Sequence, residues 1–165
     1  MEKIIFSWSS GKDSAMALSE AKRSGKYNID CLLTTVTEGY DRISMHGVRR
    51  ELLEAQAKSI CLPLEKIFIS QKSSHEEYES KMREFLERKA SEGVKAVAFG
   101  DIFLEDLKKY REDKLAQVNM KALFPIWKRD TAELARKFIE LGFKAIITCV
   151  DTKVLNKSFA GRLYD

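Results

Sequence analysis

No apolar run in the sequence approaches the roughly 20 residues that a membrane-crossing helix needs, which excludes a helical membrane protein. Met1-Glu2-Lys3 leads straight into a strand-like segment without a secretory pattern, so a cytoplasmic location is expected. Cysteine is scarce: Cys31, Cys61 and Cys149 are widely spaced among aliphatic neighbours. Three buried, reduced thiols are expected rather than a disulfide framework. An excess of one charge is also lacking, with 29 basic against 25 acidic residues and a net charge of +4. Without a concentrated basic stripe, nucleic acid is not the expected partner, though anionic ligands are mildly favoured. No internal repeat, low-complexity tract or linker divides the chain, and a single domain spanning 1–165 is expected.

What is present is the balance of a folded protein, 44% apolar and 33% charged. Lys3–Trp8 reads as a buried strand, followed by a Ser/Gly turn and a helix over Lys12–Ser24. Cys31–Val36, Pro63–Ile69, Val94–Phe99, Ala122–Phe124 and Ala145–Val150 read as further strands. Helices are expected over Val48–Ile60, His75–Glu92, Leu104–Asn119 and Thr131–Leu141, several of them closed by glycine. In the third helix the stripe Tyr78, Met82, Phe85 and Leu86 reads as core. Alternating strands and helices imply an α/β fold in three layers. Its centre is a Rossmann-like, mostly parallel sheet of five to six strands in the order 3-2-1-4-5, covered by helices on both faces. Ligands of such sheets bind beyond the carboxyl ends of the strands.

The loop after the first strand, Ser7-Trp8-Ser9-Ser10-Gly11-Lys12-Asp13-Ser14, has the composition of an anion cradle. Small residues let backbone approach a phosphate, and the first amides of the helix point toward it. Lys12 supplies positive charge, Ser7, Ser9, Ser10 and Ser14 supply hydroxyl groups, and Asp13 could bind a magnesium ion carried by phosphates. The bland alternative is that Ser10 caps the helix while Lys12 and Asp13 face solvent. A Walker A loop needs a glycine five residues before its Gly-Lys pair and Ser or Thr after it. Here those positions hold Phe6 and Asp13, so that loop is excluded.

The segment instead resembles the S-G-G-K-D-S pyrophosphate loop (PP-loop) of enzymes that cleave ATP between its α and β phosphates, with Ser10 replacing a glycine. The resemblance extends to His46-Gly47 ahead of Leu52–Ala57, to Leu62-Pro63-Leu64, and to Phe99-Gly100-Asp101 with Tyr110-Arg111. It continues through Phe124-Pro125-Ile126-Trp127 with Arg129-Asp130, and ends with Gly161–Asp165. As a whole the chain resembles the catalytic domain of the diphthine–ammonia ligase family, of the HUP-type, adenine nucleotide alpha-hydrolase-like fold. Members usually continue into a further Gly-Glu-rich segment, and that extension is expected to be absent here.

The remaining candidates can each be read physically. Thr34–Thr37, Thr35 at its centre, could offer strand-end backbone to an adenine ring. His46, beside Arg49 and Arg50, could help hold a phosphate or the substrate, or be an ordinary exposed histidine. Gly100 could let backbone approach the α-phosphate, and Asp101 could bind metal or ribose, unless the pair is only a turn and a cap. Leu104, Leu107, Arg111, Leu115 and Val118 share one helical arc. A guanidinium on that stripe needs an anion, either a carboxylate or, the favoured reading, a phosphate. Trp127 and Arg129 could face the substrate, although tryptophans more often pack and Asp130 or Thr131 could simply cap the last helix.

The resemblance implies an ATP-dependent, AMP- and pyrophosphate-forming amide ligase using ATP and Mg²⁺. A carboxylate-bearing substrate would be adenylated, and ammonia would then form an amide, with Lys12 and Arg111 as the catalytic charges. An RNA sulfur transferase and a non-catalytic nucleotide sensor are the alternatives. Oligomeric state is open, a homodimer included.

Overall fold

A computed structural model of the chain describes residues 1–72 and 74–165. Glu2–Ser7 (β1) carries Ile4, Ile5 and Phe6, all fully buried. Such a run is what a central strand covered on both faces requires. The second strand, Tyr27–Thr37 (β2), starts earlier than the β-branched run suggests. Its first half pairs in parallel with β1, from Glu2 opposite Tyr27 to Ser7 opposite Leu33. Its second half pairs in parallel with Leu64–Ile69 (β4) on the opposite edge.

Beyond the end of β1, the vacant edge of β2 is taken by the short antiparallel strand Arg42–Ile43 (β3). The carbonyls of Leu33 and Thr35 point to one edge, and they accept from Trp8 N–H and Ser44 N–H respectively. On the other side of β1 lie Ala96–Ala98 (β5) and then Lys121–Leu123 (β6), both parallel. The principal strands therefore run β4-β2-β1-β5-β6, the expected 3-2-1-4-5 order, and the sixth strand is the antiparallel β3.

Lys12–Arg23 (α1) and Arg50–Ile60 (α2) cross in one direction from β1 outward, and His75–Ser91 (α3) and Glu105–Ala116 (α4) in the other. Right-handed crossovers therefore put α1 and α2 on one face and α3 and α4 on the opposite one. Strand alternation agrees. Ile5, Cys31, Leu33, Val97 and Phe99 cluster with Phe85 and Leu86 of α3 and Leu115 of α4. Phe6 and Trp8 fall on the other side, where Trp8 Nε1–H donates to Gln56 of α2 at 3.2 Å. Ser74 caps α3 by accepting from Glu77 N–H.

Two compact units are distinguished, Met1–Trp127 and Lys128–Asp165. Within the second, Asp130 Oδ1 accepts from Glu133 N–H at 2.7 Å and caps Thr131–Glu140 (α5). Phe138 of α5 packs against Phe143 and Tyr164.

Ala145–Val150 is not a strand of the sheet: Ile146 forms a lone antiparallel bridge to Leu163. Neighbouring backbone bonds join Ile147 to Gly161 and Arg162, and Ala145 to Tyr164. A β-branched run paired inside a small unit looks in sequence like one paired in the sheet. The thiols also depart from expectation. Cys31 is buried, whereas Cys61 and Cys149 are exposed, Cys61 because it closes α2 in a left-handed conformation, φ 58°.

Candidate active site

The carboxyl ends of β1, β2 and β5 open into one cavity of about 570 Å³, all of whose lining residues belong to the first unit. It lies where strand order reverses, the β1/β5 boundary at which such sheets bind ligands. The Ser9–Ser14 loop stands at its mouth, with Ser7, Ser9, Asp13 and Ser14 on the wall.

The loop's conformation follows from its residues. Ser10 adopts φ 65°, the left-handed region that glycine enters most easily. It does not cap the helix: Gly11 is the N-cap residue and makes no side-chain cap bond. The buried Ser10 hydroxyl oxygen has no hydrogen-bond partner among the described residues. Ser9 does the local bracing instead. Its N–H donates to Ser14 Oγ, and its own Oγ accepts from Gly11 N–H, both at 3.3 Å. The first intrahelical bond of this turn runs from Ala15 N–H to Gly11 O at 3.0 Å. The amides of Asp13 and Ser14 precede it and so lie at the electropositive helix start. Lys12 Nζ pairs with Asp13 Oδ1 at 2.5 Å, both side chains more than a third exposed.

Gly100 is required, but by protein rather than by ligand. A Cβ there would stand 2.9 Å from Ser14 N and 3.0 Å from Ser14 Cα. The backbone after β5 therefore lies directly against the start of α1, and locks the loop in place.

Arg111 likewise has a protein partner. Its Nε and Nη2 reach the two carboxylate oxygens of Asp101 at 2.7 and 3.4 Å, and its guanidinium lies 4.1 Å from the Phe99 ring centroid. Of the two anions expected for it, the carboxylate is the one present, and Asp101 is correspondingly engaged. The stripe itself is as expected, since Leu104, Leu107, Arg111, Leu115 and Val118 all line the cavity.

Thr35 and His46 also line the cavity, although the Thr35 carbonyl already accepts from Ser44 N–H at 2.9 Å. Ser10, Gly11 and Lys12 form the loop without appearing on the wall. Arg49 is outside, paired with Glu51 at 2.7 Å and more than half exposed. Trp127 packs on Phe124 with Lys108 above both rings. Arg129 belongs to the second unit, where it pairs with Glu133 at 2.6 Å.

One part of the wall is absent from the sequence reading. Phe85 is core, but Tyr78 and Met82 are half-buried and face the cavity together with Leu86. From the same helix Glu79 accepts from Tyr110 Oη–H at 2.9 Å and from Lys114 Nζ at 2.5 Å, both of α4, and pairs with His75 at 3.1 Å. The Lys114 and Tyr110 hydrogen bonds hold the Glu79 carboxyl below its ordinary pKa. Burial, with the bond to Glu79 adding to it, pushes the Tyr110 phenol up to about 12. The available signal was the Tyr and Met at the start of the α3 stripe, side chains that tolerate a wet boundary better than Phe85 or Leu86.

The family model described as the diphthamide synthase N-terminal domain matches residues 2–122. The chain belongs to this family. Its members are enzymes that use ATP. No curated protein matches the chain. Among solved structures, it is similar to a predicted subunit of a tRNA methyltransferase from Methanocaldococcus jannaschii, at 16% identity and TM-score 0.58. That alignment covers 92% of this chain and 81% of the other. It is also similar to the U34-tRNA thiolase NcsA from Methanococcus maripaludis, solved with its 4Fe–4S cluster, at 14% identity and TM-score 0.52, over 86% of this chain and 57% of that one. At these identities the likeness establishes the fold alone, a mostly parallel α/β sheet shared with tRNA-modifying enzymes.

Among the described residues, no group of three or more His, Cys, Asp or Glu side chains could hold a metal ion by itself, and no helix is long and apolar enough to cross a membrane.

Proposed function

We propose that the protein binds ATP at the Ser9–Ser14 loop, cleaves it between the α and β phosphates, and transfers AMP to a carboxylate that is then converted to an amide. The observation that carries this reading is the loop geometry. A left-handed Ser10 with a partnerless buried hydroxyl shapes the loop, and Ser9, Asp13 and Ser14 bring its hydroxyls and helix-start amides to the wall of a cavity at the sheet's switch point. A phosphate is the ligand that satisfies such donors at once.

In this reading the loop amides and Lys12 hold the β and γ phosphates, and the Gly100 backbone keeps the loop rigid. Mg²⁺ bound with the nucleotide would neutralise phosphate charge, with Asp13 the carboxylate at hand to hold it. The donor set fits an ion that arrives with its phosphates, since one loop carboxylate is too few for a resident site. A substrate carboxylate oxygen attacks the α phosphorus, the bond to the bridging oxygen breaks, and pyrophosphate leaves. The nitrogen of ammonia then attacks the acyl carbon, the acyl–oxygen bond breaks, AMP leaves, and the ammonium proton passes to water. No general base is needed for the first step, so the protein contributes position and charge. Arg111, steered by Asp101, lines the same cavity and is the cation suited to orient the acid.

Sulfur transfer through a protein thiol fits less well. None of the cysteines lies on the cavity wall, and burial pushes the Cys31 thiol up to about 12. Adenylation is reversible, which gives a direct test. Labelled pyrophosphate should enter ATP only when an accepted carboxylate is present. Label that enters equally without any acid, or never enters while ATP is consumed, contradicts the reading. Serine in place of each cysteine should leave the exchange rate unchanged.

A further inference from the structure

The cavity extends past the loop into the α3/α4 layer, and its inner wall differs in kind from its mouth. Leu33 and Val97 from the sheet, Met82 and Leu86 from α3, and Leu115 and Val118 at the end of α4 line it. None has a hydrogen-bonding side chain. Five of the six are at most 7% exposed, yet they face open space. A ribose hydroxyl, phosphate oxygen or ring nitrogen placed against these six side chains would lose its water without gaining a partner from them. The polar parts of the nucleotide belong instead at the mouth, with Ser7, Ser9, Ser14 and the strand-end backbone.

Polar side chains bridge the outer side of this chamber. Glu79 bridges α3 to Tyr110 and Lys114 of α4, and one turn further Arg83 donates to Gln117 Oε1 at 2.6 Å. The chamber is continuous with the loop mouth as one cavity, and Arg111 stands at the boundary between the polar and apolar walls. A molecule filling the inner part therefore presents its polar end to Arg111 and to the loop.

We infer that this chamber holds the apolar body of the acid that is adenylated, so the second substrate is an aliphatic or aryl-alkyl carboxylate rather than a small polar one. The inference rests on the adenylation reading for the role of the acid's carboxylate, while the chamber's preference can be measured apart from it. Burial of each added methylene is worth about 0.8 kcal/mol, roughly fourfold in affinity.

The test is calorimetric titration of acetate, butyrate and hexanoate into the full chain saturated with α,β-methylene ATP and Mg²⁺, with the nucleotide itself titrated separately. Affinity should rise about fourfold per methylene. Met82→Trp, which fills the chamber from a half-buried position, should abolish the rise while leaving nucleotide affinity within twofold. Met82→Ala should retain the rise and extend it to longer acids. Affinity that is flat along the series, a rise unaffected by Met82→Trp, or competition between hexanoate and nucleotide would each overturn the inference. Failure of the nucleotide to bind, with the acid series still graded, would instead count against the ATP-loop reading and leave the chamber's preference standing.

Discussion

At the residue scale, Ser10 is the most informative position. A serine at φ 65° carries a left-handed penalty of about 1–2 kcal/mol that glycine escapes, and its buried hydroxyl gains nothing in return from the protein. Ser10→Gly should therefore stabilise the ligand-free protein by about 1 kcal/mol, measured by urea denaturation. Gly100→Ala should do the reverse. Its methyl group would meet the Ser14 backbone at 2.9 Å, an overpacking worth about 1–3 kcal/mol, and ATP affinity should fall with the displaced loop. Lys12 separates binding from folding. It and Asp13 form a pair more than a third exposed, which adds little stability. Lys12→Ala should weaken ATP binding roughly tenfold to a hundredfold while leaving the urea midpoint almost unchanged. An unaltered ATP affinity in that variant would mean the loop is not the phosphate site.

These residues also mark how far local sequence carried. The loop was legible because glycine, serine and lysine after a buried strand have few other uses. The needs of Gly100 and Arg111 were legible, but not their partners. Gly100 meets the Ser14 backbone and Arg111 meets Asp101, ten residues away. Spacing reveals that a close approach or an anion is required, while only the fold decides what supplies it.

At the scale of elements, α3 does two things that its apolar stripe does not reveal. At its amino-terminal end it walls the cavity and grips α4 through Glu79. At its carboxyl-terminal end Lys89, only 6% exposed, reaches Asp30 at 2.9 Å and Glu92 at 3.0 Å. This cluster ties α3 to the start of β2, since Asp30 also pairs with Lys3 at 3.0 Å. Burial alone would raise the Asp30 pKa, but hydrogen bonds from Lys89 and Lys3 outweigh it and hold the carboxyl below its ordinary value. Such a group contributes stability above its unfolded pKa, near 4, and loses it as pH falls through the lower folded value. The urea midpoint should thus drop between pH 5 and pH 2. In Lys89→Met the protein should be less stable at pH 7 by about 2 kcal/mol, below the figure for a fully buried pair because Asp30 keeps Lys3. Its drop on acidification should be shallower. An equally steep drop would show that other carboxylates dominate the acid response.

Helix positions were readable to within a few residues because stripes and glycine stops coincide. The errors have a common physical origin. β2 extends back to Tyr27 because β1 supplies pairing that its own composition does not announce. The run at Ala145–Val150 pairs with Gly161–Tyr164 rather than with the sheet.

At the scale of the molecule, a six-stranded sheet places the carboxyl ends of β1, β2 and β5 around one cavity. The family match over residues 2–122 covers every residue that lines this cavity. In the proposed reading the nucleotide lies at the switch point, the loop grips its phosphates, and the α3/α4 wall limits what can lie beside it. The central claim is the bond that breaks. Phosphorus-31 NMR of the protein with ATP, Mg²⁺, an ammonium salt and a panel of carboxylates, hexanoate among them, follows it directly. AMP and pyrophosphate should accumulate together, at a rate that depends on the acid. ADP and inorganic phosphate as the only products would contradict the account.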